Sequence, residues 1–204
     1  MKEQPETRGP RITLLVTALR LRRNMEALVR RAVPQDAEAI AALHIRSWQI
    51  AYRGQLPDQY LDQLGEQRGQ RSEFWRAHIS TPPTSKNEVW VVGTDRQVDA
   101  FAAIGPAREA NPNVTGELYA IYVDPDCWGQ GLGRTLCTHA TGRLKSLEYS
   151  TAILWVLASN ARARRFYEIA GWSLDGGTKL ESMPGVELRE VSYRILFRRQ
   201  NEES

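Results

Sequence analysis

Apolar and polar positions along this chain repeat with two periods, and the change from one to the other marks its elements. Residues 26–33 alternate weakly and predict a first strand. Pro34 then opens a helix. Asp36 and Glu38 fall in its first turn, where the helix dipole favours acids. Ile40, Leu43, Ser47 and Ala51 recur at helical spacing, with Trp48 and Tyr52 alongside. Residues 57–64 and 70–79 predict two shorter helices, and the breaker cluster at 81–87, Thr-Pro-Pro-Thr-Ser-Lys-Asn, ends this helical half.

Strand periodicity dominates next. Residues 88–94 and 98–104 are β-rich runs, residues 106–112 read as a loop, and 116–123 predict another strand. Leu132, Leu136, Ala140 and Leu144 then line one helical face, as a helix lying on a sheet requires. Residues 151–157 form a buried-type strand. Asn160 as N-cap and Gly171 at the C′ position bracket a helix over 161–170. Strands over 172–180 and 186–197 close the chain. The order predicts an α/β (α+β) fold: a mixed sheet with helices on both faces, in one domain over residues 25–204.

Between the strand ending at Val123 and the helix opening at Leu132 lies Asp-Pro-Asp-Cys-Trp-Gly-Gln-Gly-Leu-Gly-Arg, with alternate glycines at 129, 131 and 133. Glycine lets the backbone bend freely and approach a ligand closely. The following helix points its free N–H groups and positive dipole end into the loop, a geometry that suits a diphosphate. A P-loop would close on Gly-Lys-Ser/Thr, whereas Gly133 is followed by Arg134 and Thr135. A dinucleotide fingerprint needs G-x-G-x-x-G, and the spacing here is one residue short. A tight strand-to-helix turn is the plainest alternative, but it rarely needs three alternate glycines.

The stretch from Tyr119 to Arg134 resembles the acyl-CoA-binding motif of the GNAT family of N-acetyltransferases. The run from Leu157 through Asn160, Phe166-Tyr167-Glu168 and Gly171-Trp172 is similar to that family's second motif. The segment around His44, Trp48, Tyr52 and Leu56-Pro57-Asp58 is similar to its N-terminal helical region. One position departs: the Arg or Gln that opens the family's R/Q-x-x-G-x-G/A pattern is Trp128 here. The resemblance implies a central, mostly antiparallel sheet of six to seven strands that splays open in the middle, with acetyl-CoA as co-substrate in the opening. By the same resemblance Ile121, Tyr122 and Val123 pair with the pantetheine arm, Gly129, Gln130, Gly131, Leu132, Gly133 and Arg134 hold the pyrophosphate, and Asn160 touches the cofactor through its amide.

Acetyl transfer to an amine needs a donor at the thioester carbonyl, a base for the ammonium, a proton donor for the thiolate, and both reactants held close. The resemblance makes Tyr167 the acid. A phenol with a pKa of about 10 stays protonated at neutral pH. The same residue also fits the apolar stripe Ala163, Phe166, Tyr167, Ala170. Glu117 is the expected base, because period-two alternation puts it on one face with Tyr119, Ile121 and Val123; a solvated strand-end acid has the same pattern. The family's alternative glutamate, five residues before the Asn, is Trp155 here and transfers no role. Trp48, Tyr52 and Asp58 are the expected acceptor-pocket residues, since aromatic faces attract cations and a carboxylate can pair an amine.

Charge and cysteines narrow the partners. The pI is about 9.0, with 27 Lys+Arg against 24 Asp+Glu. Residues 1–24 hold six of those basic residues and only two of the acids, so the basicity belongs to an N-terminal extension. That extension reads either as a disordered tail or as sequence upstream of the native start. A near-neutral body offers no broad phosphate-binding face, so no nucleic-acid partner is expected. No apolar run reaches membrane-span length, and arginines after the apolar stretch at 12–19 break a signal-peptide pattern. Cys127 and Cys137 form no metal pattern, and they suit a reducing cytoplasmic setting with no metal cofactor. The expected partner is therefore a primary amine on a small molecule or peptide, with a homodimer permitted by the resemblance. The competing function is a non-catalytic acyl-CoA sensor of the same fold.

Overall fold

The computed structural model describes residues 28–94, 97–183 and 186–197; the expected N-terminal extension lies outside them. The described elements are β1 (Leu28–Arg31), α1 (Ala37–Ala51), α2 (Asp58–Gln63), α3 (Arg68–Ile79), β2 (Glu88–Thr94), β3 (Gln97–Pro106), β4 (Thr115–Val123), α4 (Leu132–Ser146), β5 (Thr151–Leu157), α5 (Ala161–Ile169), β6 (Ser173–Met183) and β7 (Val186–Leu196). They match the periodicity element for element. The first helix begins with a 3-10 turn at Pro34–Asp36, because Arg30 and the Val33 N–H both bond the Asp36 carboxylate and tighten the entry.

One seven-stranded sheet runs in the order β1-β2-β3-β4-β5-β7-β6. Helices α4 and α5 cover one face, where Leu136, Ala140 and Leu144 pack with Tyr167 and Trp172 against Ala102, Leu118 and Leu154. Helices α1 and α3 cover the other, where Ile40, Leu43 and Trp75 pack on Val91 and Phe101. A third cluster joins Ile45, Leu61 and Leu64 to Leu157 and Leu188. Each fully buried Leu or Ile contributes about 1.5–3 kcal/mol.

Every strand pair is antiparallel except β4 with β5. A parallel pair cannot be closed by a tight turn, so α4 makes the crossover. The two strands pair only over Thr115–Leu118 with Thr151–Leu154. Beyond that they part. Opposite Ala103 and Ile104 the register shifts, so that Leu118 and Ala120 have partners and Tyr119 is an extra residue. Such a bulge bends its strand and raises the local twist, which turns the end of β4 away from β5.

The bulge also corrects an expectation from alternation. Leu118, Ile121 and Val123 pack on the α4 side, while Tyr119, Ala120 and Tyr122 pack on the α1 side. Glu117 and Tyr119 therefore do not share a face with Ile121 and Val123. One inserted residue inverts every side chain after it.

Candidate functional site

The parting of β4 and β5 opens a cleft of 1290 Å³ that passes from the α4–α5 face to the α1–α3 face. The glycine loop stands at one end. Its entry is fixed by carboxylates: Asp124 accepts from the Asp126 N–H at 2.9 Å, and Arg46 of α1 reaches Asp124 at 2.6 Å and Asp126 at 2.7 Å. Gly129 and Gly131 have φ of 75° and 85°, in the left-handed region, and a Cβ at either would meet nothing within 4 Å. Backbone conformation, not space, demands glycine there. Gly133 differs, because a Cβ would lie 3.4 Å from Val123 Cγ2 and 3.6 Å from Phe166. The first bond of α4 runs from the Thr135 N–H to the Gly131 carbonyl at 3.0 Å. The N–H groups of Leu132, Gly133 and Arg134 therefore precede the helical ladder, and these residues line the cleft. The donor set suits an anion with several oxygens.

Trp128, at the position where the sequence departs from the motif, turns its indole into the same wall. Its Nε1 donates to the Val123 carbonyl at 2.9 Å. The Arg162 guanidinium, from the first turn of α5, lies 3.9 Å over the ring. A cation is thus seated beside the glycine loop, but from a different element. Asn160 caps α5, its Oδ1 accepting from the Ala163 N–H at 3.0 Å, and it also lines the cleft.

Further in, Tyr167 is buried, yet its residue borders the cleft. Its hydroxyl makes no hydrogen bond to any described residue. Burial, with the nearby Cys137, Tyr52 and Glu190, pushes its pKa far above an ordinary phenol. Ile121 and Val123 border the cleft too. Tyr122 sends its side chain to the α1 side, where its hydroxyl accepts from Trp48 Nε1 at 2.8 Å. Trp48 and Tyr52 complete this aromatic floor with rings 5.0 Å apart. His44 sits below it, and burial with the neighbouring Arg71 charge pushes its pKa down to about 3.

Three expected residues lie elsewhere. The Glu117 side chain is 1% exposed and is not part of the cleft wall. It accepts from the Arg108 N–H at 2.9 Å, from Nε at 3.1 Å and from Nη2 at 2.5 Å. A carboxylate so occupied holds the loop after β3 and has no free face for an amine. Asp58 is exposed and paired with Arg53 at 3.0 Å. Gln130 bonds back to the Asp126 carbonyl at 3.2 Å and points away from the cleft.

The acids that do face the cleft were missed from sequence. Glu190 of β7 sits opposite Leu157 of β5 and beside Lys179 of β6, whose Nζ is 3.4 Å away. Burial raises the Glu190 pKa, and the Lys179 ammonium offsets part of that rise. Glu181 lies on the same hairpin. The alternation Leu188, Glu190, Ser192 was the available signal, an acid among inward positions.

Comparison with known proteins follows the same lines. The sequence profile of the acetyltransferase (GNAT) family matches residues 39–172. The uncharacterized N-acetyltransferase YuaI of Bacillus subtilis is 31% identical over 164 residues, covering 80% of this chain and 89% of that protein. The mycothiol acetyltransferase of Beutenbergia cavernae matches more locally, 42% over 59 residues, 29% of this chain and 20% of that one. Among solved structures, the PaiA N-acetyltransferase of Thermoplasma acidophilum, in complex with coenzyme A, has a TM-score of 0.63 at 18% identity, covering 83% of this chain and 98% of that one. YncA of Salmonella typhimurium, with its cofactor acetyl-CoA, has a TM-score of 0.63 at 18% identity, covering 86% and 96%. These likenesses establish the fold.

The Arg108–Glu117 arrangement has a measurable consequence. Glu117→Ala leaves three donor groups of Arg108 without their acceptor and should cost about 1–3 kcal/mol. Urea unfolding reads this directly, and an unchanged midpoint would show the pair to be idle.

Proposed function

The chain belongs to the acetyltransferase (GNAT) family, and from that premise we propose that it moves acetyl from acetyl-CoA directly to a primary amine of a small molecule or peptide. The observation that carries this reading is the continuous cleft, with a diphosphate cradle at one end and aromatic and acidic groups at the other. Acetyl-CoA supplies the acetyl thioester. The N–H groups at the start of α4 hold its diphosphate, with Arg134 and Arg162 as the cations at that end. The open edge of β4 from Ile121 to Val123 pairs with the amide-bearing arm as a neighbouring strand would. Two proteins of the same fold bind coenzyme A and acetyl-CoA, which supports a CoA thioester as the ligand. An acyl-CoA sensor would need no hydroxyl free to donate toward its ligand, and Tyr167, at the border of the cleft, supplies one.

Tyr167 donates a hydrogen bond to the departing sulfur. With its pKa pushed so high, the phenol stays protonated at every working pH. It stabilises thiolate charge as a donor and does not give up its proton outright.

Glu190 replaces Glu117 as the proton acceptor. It lies within electrostatic range of both Tyr52 and Tyr167, so it stands near the reacting centre. An ammonium entering this floor is desolvated, which lowers its own pKa while burial raises that of Glu190. The two values converge, and transfer becomes feasible directly or through one water.

Three substitutions test these assignments. Gly131→Asp forces a side chain into a left-handed position and adds a negative charge to the cradle; calorimetry should find acetyl-CoA binding lost, and retained affinity would discredit the cradle. Tyr167→Phe should lower kcat by roughly 10- to 1000-fold with cofactor binding kept. Turnover equal to wild type would remove the donor role. Wild-type kcat/KM should fall as pH drops through the raised Glu190 pKa, since the protonated carboxyl cannot take the ammonium proton. Glu190→Gln should lower kcat by about 100-fold and abolish that acidic limb; a limb that persists belongs to another group.

A further inference from the structure

We propose that the acceptor is amphoteric, an aminocarboxylate whose anionic group sits close to the amine that is acetylated; this rests on the acetyl-transfer reading above. The acceptor end of the cleft carries fixed charges of both signs on opposing walls. On the α3 wall stands Arg71. Its Cζ is 5.8 Å from the centre of the Trp48 ring, and its Nε is buried with no hydrogen-bond partner. Its Nη2 reaches only the Gln67 Oε1, at 3.5 Å, the outer limit of such a bond. Among the described residues it pairs with no carboxylate. Arg108, the other arginine of this end, is occupied by Glu117.

A guanidinium cannot shed its charge. Holding one over an aromatic ring with a buried donor unmet costs free energy. A carboxylate in the cleft matches the two terminal nitrogens of the guanidinium with parallel bonds and supplies the counter-charge that Arg71 lacks among the described residues. On the opposing β6–β7 wall are Glu190 and Glu181. Glu190 is shared with Lys179, and Glu181 makes no ion pair among the described residues. The charges of Arg71 and Glu181 both act on Tyr60 of α2.

In this proposal an amine lodged against Glu190 directs its other substituent toward Arg71, which lines the same cleft from α3. A polyamine would bring a second cation toward that guanidinium, which Coulomb repulsion opposes. A plain alkylamine would leave the guanidinium without a carboxylate. An aminocarboxylate satisfies both walls at once.

The test uses the full chain and begins with calorimetric titration of acetyl-CoA. No binding there would undo the transfer reading and this proposal with it. With binding present, thiol release is measured for a panel of L-amino acids, for their carboxamides and for the matching decarboxylated amines. The free acids should show kcat/KM higher by roughly tenfold or more, since a site built to bond a group rejects the analogue lacking it. Arg71→Gln should erase that preference by raising KM for the acids alone, with acetyl-CoA affinity kept as the check on folding. Arg71→Lys should retain part of the preference, because it keeps the charge and loses the fork. Equal or better turnover of the carboxamides or decarboxylated amines would overturn the proposal. So would an equal loss for all three series in Arg71→Gln, or turnover confined to polyamines, or acetyl-CoA binding with no member of the panel acetylated.

Discussion

The separation of β4 from β5 is the constraint on which the rest of the structure depends. A sheet gains most of its order by pairing every strand along its length, and this one stops after Leu118 and Leu154. The helix α4 holds the lower parts together through Leu136, Ala140 and Leu144. The bulge at Tyr119 bends the upper part of β4 outward. What remains is an open strand edge in the middle of a domain. Buried main-chain groups left unpaired are costly, so such an edge persists only where water or a chain with its own amides can reach it. The cleft is therefore not an addition to the fold; it is the place where the sheet was prevented from closing.

How far the site could be read from the sequence follows from how local each part is. The glycine loop was legible because its chemistry lies within a few residues: φ of 75° and 85° at Gly129 and Gly131 suits glycine wherever it occurs. Asn160 and the α5 boundaries were legible for the same reason. Glu117 was misread because alternation assumes an unbroken strand, and nothing in Glu-Leu-Tyr-Ala-Ile announces a bulge. Asp58 was misread because a helix start next to aromatic residues says nothing of whether an arginine five residues back will claim it. Glu190 and Arg71 were missed because their place depends on tertiary pairing. The first needs the β5–β7 register, the second the packing of α3 across α1. Local signals specify the glycine-loop end of the cleft, and long-range packing specifies the end between α3 and the β6–β7 hairpin.

Trp128 shows how one sequence departure is absorbed. Where the motif carries a polar side chain, this chain has an indole that caps the Val123 carbonyl and supports Arg162 from below. A cation held over a ring face keeps its charge while losing part of its conformational freedom. The positive group at the mouth of the cleft is then supplied by α5 and positioned by the glycine loop. The two motifs are coupled through that contact, which neither alone would reveal.

In the proposed reaction the two ends of the cleft face opposite electrostatic problems, and the aromatic floor between them links the solutions. At the cofactor end, charge must be held, and main-chain donors do this without side-chain reorganisation. At the acceptor end a charge must be lost, because an ammonium has no lone pair to attack with. Trp48, Tyr52 and Tyr122 remove water from that point, and the same dry surroundings raise Glu190 and suppress ionisation of Tyr167. Burial thus acts in one direction on three groups, favouring the neutral form of each: the free amine, the Glu190 carboxyl once it has taken a proton, and the intact phenol. The Lys179 ammonium, 3.4 Å from Glu190, opposes that push and favours the carboxylate that serves as base in the proposed reaction. Dryness at the point where the strands part pushes all three groups toward their neutral forms, and at Glu190 the Lys179 ammonium opposes it.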